Sequence, residues 1–311
     1  MKIQNITDMI GNTPLLKIDN KIKYYAKVEG CNLFGSVKDR AAKHLIENAY
    51  RDGVIDRDTM IIESSSGNFG IALAGMCKIK GNSFICVVDP NITNTNRKII
   101  ELLGAQIIVA NRADRNGSYV QNRIQIVKNY ITRNAKVYWT NQYENEYVWK
   151  AYFTLGEELC EELGKIDYLF VAVSTCGTLA GTSQKIKKEF PACKIIAVDV
   201  AGSQIFEQRS QKRHISGIGS GLVPLNLLSA KYDDYIIVEE KDAILECNNL
   251  LSKGIFVGAS SGAVAYAIQN YKGYLDDFDR KKVVGIFPDR GERYLDTIYN
   301  KEWYDKIEIQ K

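Results

Sequence analysis

Short apolar runs rich in β-branched and aromatic residues alternate with stretches of helical period along nearly the whole chain. Residues 24–29 open the pattern as a strand, and residues 41–50 follow with apolar positions at helical spacing. Further strands are predicted over 59–63, 83–88, 106–110, 137–140, 168–173, 194–199, 235–238 and 283–287. Helices are predicted over 69–80, 96–103, 117–133, 147–163, 178–190, 241–251 and 261–271. Strands separated by helices of this length specify an α/β fold with mostly parallel sheets. The length of 311 residues suits one large domain or two mid-sized ones. A second Gly-rich unit places the split near residue 145. This gives an N-terminal domain over 1–145 and a C-terminal one over 146–311, with residues 1–35 free to pack on the latter.

Composition narrows the function. Hydrophobic residues at 45% provide enough material for a full core, and a net charge of +4 without basic runs argues against nucleic acid. The seven cysteines are odd in number and form no CxxC pair, which fits reduced thiols in a cytoplasm. Two histidines make a zinc site improbable, and no metal is expected. No apolar run approaches membrane-spanning length, and residues 1–5 lack the apolar core of a signal peptide.

In α/β folds, ligands gather beyond the carboxyl ends of strands. Four loops there are rich in Gly, Ser, Thr or Asn: 64–70, 174–181, 217–221 and 258–262. Ser174, Thr175, Cys176, Gly177 and Thr178 follow a strand and open a helix, so backbone N–H groups and hydroxyls could hold one phosphate dianion. An ordinary tight turn reads equally well. Ser65, Ser66, Gly67, Asn68 and Phe69 suit a carboxylate held in the same way, or a Ser-rich helix cap. Lys38 lies at the start of a helix, where positive backbone groups and desolvation favour a neutral, nucleophilic amine. A solvated surface lysine is the alternative.

These residues together resemble the cysteine synthase and cystathionine β-synthase family of pyridoxal-phosphate (PLP) enzymes, nearly end to end. The likeness runs from Ile10-Gly11-Asn12-Thr13-Pro14-Leu15 to Pro288-Asp289-Arg290-Gly291-Glu292-Arg293-Tyr294. It implies two open α/β sheets with the cofactor between them. It makes Lys38 the Schiff-base lysine of Ser36-Val37-Lys38-Asp39-Arg40. It gives Asn68 to the cofactor's phenolic oxygen, Ser174 to Thr178 to its phosphate, and Ser260 to its pyridine nitrogen. Ser65, Ser66, Gly67, Phe69, Gln142 and Gly217 become the residues around the amino-acid substrate. The chain departs from the family where Leu33, Ser65, Phe69, Ser174 and Cys176 replace Pro, Thr, Thr, Gly and Gly.

The activity implied is β-elimination and β-replacement on a small L-amino acid, such as cysteine, acetylserine or phosphoserine, through an aminoacrylate. Sulfide as nucleophile would make cysteine; with cysteine as donor, elimination would release hydrogen sulfide and water adding to the aminoacrylate would give serine. Asp233 and Asp234, ahead of the strand 235–238, are candidate bases for such a water, or else turn residues. Three other readings stand beside these. One subgroup, which the segments 141–149, 174–177 and 288–291 resemble most, makes N-(2-amino-2-carboxyethyl)-glutamate from phosphoserine and glutamate for siderophores. That subgroup carries an Arg soon after Gly-Ile-Gly, where this chain has Leu222. The second alternative is a serine or threonine dehydratase, and the third is an inactive binding relative. The expected partners are small amino acids and a second copy in a homodimer, with neither nucleic acid nor membrane.

Overall fold

The computed structural model of the chain describes residues 3–113, 119–207, 213–274 and 280–308. They form two compact units: Met1–Val37 with Tyr152–Lys311, and Lys38–Ala151. Each contains one sheet, and the fold is the expected α/β class with mostly parallel strands.

The larger unit holds a six-stranded sheet of β1 (Leu15–Ile18), β2 (Tyr24–Val28), β7 (Tyr168–Ala172), β8 (Lys194–Val200), β9 (Asp234–Val238) and β10 (Val283–Phe287). Its strand order is β1-β2-β10-β7-β8-β9. β1 pairs antiparallel with β2, and the other pairs are parallel. β10 is buried at every position and β8 at all but its first, as parallel strands covered on both faces must be. The covering helices are α6 (Phe153–Leu163), α7 (Gly177–Glu189), α8 (Glu240–Ser252) and α9 (Ala259–Asn270), with α10 (Lys301–Glu308) last. Buried Val264, Ala267 and Ile268 of α9 join Phe170, Val198 and Phe287 in one core.

The smaller unit has four parallel strands in the order β5-β4-β3-β6, namely β5 (Gln106–Val109), β4 (Phe84–Val88), β3 (Met60–Ser64) and β6 (Val137–Trp139). Its helices are α1 (Lys38–Arg51), α2 (Asn68–Lys80), α3 (Asn94–Leu102), α4 (Val120–Arg133) and α5 (Glu146–Lys150). Ile62, Ile85, Val87 and Val127 form its central cluster. The helix expected over 117–133 is seen from Val120, with Tyr119 as its cap; residues 117 and 118 lie outside the described residues. The helix expected over 147–163 is two helices, α5 and α6, broken at Ala151 and Tyr152.

Strand order places the functional loops. In the smaller unit the chain runs β3 to β4 to β5 in one direction, then returns to lay β6 on the other side of β3. In the larger unit it runs β7 to β8 to β9, then lays β10 on the other side of β7. Each unit therefore reverses at its first parallel crossover strand, and loops leaving there diverge to open a crevice. The loops concerned follow β3 and β6 in one unit, β7 and β10 in the other.

Candidate active site

Both loops singled out as anion sites leave such switch points. In the smaller unit Gly67 caps α2, and a Cβ placed on it would meet nothing within 4 Å, so the loop opens onto free space. Ser65 is buried and accepts from the Gly70 N–H at 3.1 Å, which tightens the first turn of α2. Asn68 is the first helical residue and half-buried, and Phe69 is buried. The Gln142 side chain, in the loop after β6, donates to the Ser64 carbonyl at 2.8 Å. Ser65 and Gln142, predicted 77 residues apart as parts of one substrate site, are thus brought to neighbouring loops. Lys38 is the first residue of α1, half-buried, with Asp39 and Arg40 buried behind it.

Ser66 is not aimed only at a ligand. Its hydroxyl donates to Asp89 at 2.9 Å and accepts from Arg123 Nη1 at 2.8 Å, while Arg123 pairs with Asp89 at 3.0 Å. Asn96 donates to the Ser66 carbonyl at 3.2 Å. Arg123 is only 8% exposed, and its Nε–H has no hydrogen-bond partner. Sequence reasoning missed Arg123, because an arginine on an amphipathic helix reads as solvated surface. The unused signal was an arginine at 123 between apolar Val120 and Val127, on the face that packs inward.

In the larger unit, Ser174 to Thr178 lead from β7 into α7. Cys176 is the helix cap with φ of 60°, a left-handed conformation that suits glycine and strains a side chain. The Cys176 side chain makes no capping bond, which leaves the first N–H groups of α7 able to meet another acceptor. Buried Asn226 steadies the loop by donating to the Thr175 carbonyl at 2.9 Å. The Gly219 N–H donates to Val173 O at 2.7 Å, which sets the 217–221 loop beside the phosphate-type loop. Ser260, in the first turn of α9, is 1% exposed, and its hydroxyl has no partner. Tyr294 joins these pieces. Its hydroxyl would lie 2.8 Å from a Cβ on Gly217, and its ring would clash with one on Gly258, the cap of α9.

Asp233 and Asp234 lie elsewhere. They stand at the amino end of β9, and Asp234 is level with Ile196 in β8, which pairs with Phe170 in β7. The phosphate-type loop leaves the opposite, carboxyl end of β7. Burial alone would raise the Asp233 carboxyl. Lys187 at 2.8 Å, the Ile195 N–H at 2.8 Å and Lys194 at 3.5 Å hold it below the usual carboxylate range instead. Asp234 accepts from the Tyr271 hydroxyl at 2.7 Å. Asp233 is thus engaged in ion pairs and Asp234 in a hydrogen bond to Tyr271, at the strand end away from that loop. Asp199 lies at the carboxyl end of β8, on the side of the sheet from which the phosphate-type loop leaves β7. Burial pushes it up to about 6, against the Val200 N–H, Ser203 and Arg213. No group of metal-ligating residues occurs among the described residues, and no helix there is long and apolar enough to cross a membrane.

In the larger unit the Ser260 hydroxyl and the start of α7 suit a phosphorylated cofactor with a ring nitrogen, and in the smaller unit the open space at Gly67 suits an amino-acid carboxylate. The pyridoxal-phosphate dependent enzyme family matches residues 6–289, and the chain belongs to that family. Its cofactor is pyridoxal phosphate, and its relatives are β-replacement synthases and lyases of the cysteine synthase kind. It is 41% identical over 316 residues to an N-(2-amino-2-carboxyethyl)-L-glutamate synthase of Ralstonia nicotianae, covering 99% of this chain and 93% of that one. The O-acetylserine dependent cystathionine β-synthase of Helicobacter pylori shares 32% identity at a TM-score of 0.89, over 96% of this chain and all of that one. A hydrogen sulfide-producing enzyme of Fusobacterium nucleatum shares 30% at 0.86, over 94% and 100%.

Proposed function

We propose that this enzyme replaces the β-substituent of a serine derivative with the amine of glutamate, giving N-(2-amino-2-carboxyethyl)-L-glutamate. Arg123 carries the proposal. An acidic second substrate needs a cation, and Leu222 does not supply it. The Arg123 guanidinium, already paired with Asp89, would supply it through its unspent Nε–H, while its Nη1 bonds the Ser66 hydroxyl of the substrate loop. The likeness to the Ralstonia enzyme supports the same product.

Bound pyridoxal phosphate withdraws electrons from the donor's α-carbon and so eases loss of its proton and of the β-substituent. The protein's own residues do the rest. Lys38 Nζ would hold the cofactor and would serve as the base for the donor's α-proton. Ser174 to Thr178 receive the phosphate on the N–H groups at the start of α7. Ser260 gives its hydroxyl to the ring nitrogen, and Asn68 its amide to the ring oxygen. Ser65, Gly67 and Gln142 orient the donor carboxylate, while Gly217 leaves room for the second substrate. The enzyme works in the cytoplasm as a homodimer in this reading. Seven free thiols support the compartment.

The test is a paired assay with products identified by mass spectrometry. Phosphoserine or acetylserine with glutamate should give the condensed amino acid faster than either donor reacts with sulfide. Cysteine alone yielding serine and sulfide, without condensation of glutamate, would select the sulfide-releasing reaction instead. That reaction is favoured by Leu222 and by the Fusobacterium relative.

A further inference from the structure

We propose that Glu63 is the positioning residue of the donor-carboxylate site, holding Ser64 and Gln142 in fixed register so that both loops present their donors together. The inference rests on the reading that these loops bind the donor's carboxylate.

Glu63 interrupts the apolar strand β3 and is fully buried. No cation pairs with it among the described residues. A lone buried carboxylate costs several kcal/mol, on the order expected for any desolvated ion, unless hydrogen bonds surround it. Here both oxygens are filled. Oε1 accepts from the Ser64 N–H at 2.6 Å and from Trp139 Nε1 at 3.4 Å. Oε2 accepts from the Thr140 hydroxyl at 2.6 Å and from the Gln142 N–H at 3.1 Å. Gln142 then turns back and donates its side-chain amide to Ser64 O at 2.8 Å.

The result is a closed ring, Glu63 to Gln142 to Ser64, across the switch point between β3 and β6. Only an acceptor with two oxygens can satisfy donors arriving from the end of its own strand and from the neighbouring strand's loop at once. An apolar residue would serve the core as well or better. It would leave the Ser64 and Gln142 N–H groups unsatisfied at the place where the two loops part. The carboxylate therefore fixes the separation of these loops, which is the dimension a bound carboxylate would read.

Glu63→Gln keeps the shape but turns one oxygen into a donor that faces another donor. In the holoenzyme, the KM of the amino-acid donor should rise roughly tenfold while kcat stays within about twofold. The dissociation constant of L-alanine, which has no leaving group, should weaken in parallel by calorimetry. The KM of the second substrate should not move. In the cycle with Gln142→Ala, the double variant should bind L-alanine no more weakly than Gln142→Ala alone, because Glu63 acts through that residue. Where Glu63→Gln fails to fold, Thr140→Val removes one donor and should produce a smaller shift in the same constant. Unchanged donor affinity in both variants, or additive losses in the cycle, would overturn the positioning role while leaving the site intact. A Gln142→Ala variant with unchanged affinity would overturn the placement of the donor carboxylate itself, and the positioning role with it.

Discussion

The Val37 N–H donates to the Pro288 carbonyl at 2.7 Å, which fixes the residue before Lys38 to the end of β10. Ser36 bridges Asp289 beside it, and on the far side Gly258 N–H donates to Asp289 O and Gly291 N–H to Phe256 O. The segment 288–291 is thus bonded on one edge to the lead-in of Lys38 and on the other to the turn that opens α9 and Ser260. Two proposed cofactor contacts, far apart in sequence, hang from one short stretch of backbone.

Tyr294 holds that stretch by donating to Asp289 Oδ2 at 2.5 Å, fully buried. Tyr294→Phe removes this donor from a buried Asp289 oxygen. A buried acceptor left unmade costs about 1–3 kcal/mol. Chemical denaturation should show a loss of that size, and cofactor should exchange faster on dilution. A variant with unchanged midpoint and unchanged exchange would mean that the stretch is held by its backbone bonds alone.

Arg123→Lys keeps a cation against Asp89 but loses Nε and the planar fork. The KM of glutamate should rise about tenfold, as for loss of a charge-assisted bond, while the donor's dissociation constant stays within about twofold. Steady-state kinetics with glutamate varied at saturating donor would decide it. Equal effects on both substrates would return Arg123 to a role in holding the Ser66 loop.

The alternation of strand and helix was legible because parallel sheets are buried on both faces, so β4, β7 and β10 stand out as unbroken apolar runs. β1 was not, since its four residues lie at a sheet edge with Leu16 exposed and carry no clear period. Helix α10 was missed because its pattern spans only eight residues, although Trp303 and Tyr304 pack against the core. The packing of residues 15–28 with the second half of the chain depends on β2 pairing with β10, some 260 residues away, which no local pattern carries. The anion loops were legible from their Gly, Ser and Thr content at strand ends. Arg123 and Glu63 were not, because each reaches the site through contacts 34 to 79 residues distant. A charged residue inside an otherwise apolar strand was the available sign for Glu63.

Asp199 gives a pH prediction with a definite sign. Its carboxyl is pushed up to about 6 by burial, above the ordinary 3.8. A raised acid binds its proton more tightly in the folded state, so it costs nothing below the unfolded value. The cost grows as pH rises from about 4 to about 6 and is full above that. Asp199→Asn removes the charge and keeps an acceptor for the Val200 N–H. The variant should be more stable than the parent by roughly 1–3 kcal/mol at pH 7.5, and no more stable at pH 4. Urea titrations of both proteins at the two pH values isolate Asp199 from other buried acids such as Glu63, which titrate in each. A gain that persists unchanged at pH 4 would assign the effect to packing.

Ser260 separates a functional hydroxyl from a structural one. Its side chain is buried and its hydroxyl has no hydrogen-bond partner among the described residues, so the apoprotein gains none from it there. A buried hydroxyl of that kind is a net cost to folding, since it gives up water without return. Ser260→Ala should therefore leave the apoprotein as stable as before or raise its stability by up to about 1 kcal/mol. The same change should weaken pyridoxal phosphate binding several-fold, because the ring nitrogen loses its donor. Ultrafiltration of the cofactor and denaturation of the cofactor-free protein measure the two effects separately. Ser260→Asp offers the converse, a charged partner that would protonate the ring and shift the bound cofactor's absorbance. If Ser260→Ala instead destabilised the apoprotein and left cofactor affinity untouched, the hydroxyl would belong to the core, and the ring nitrogen would have to be met by another residue.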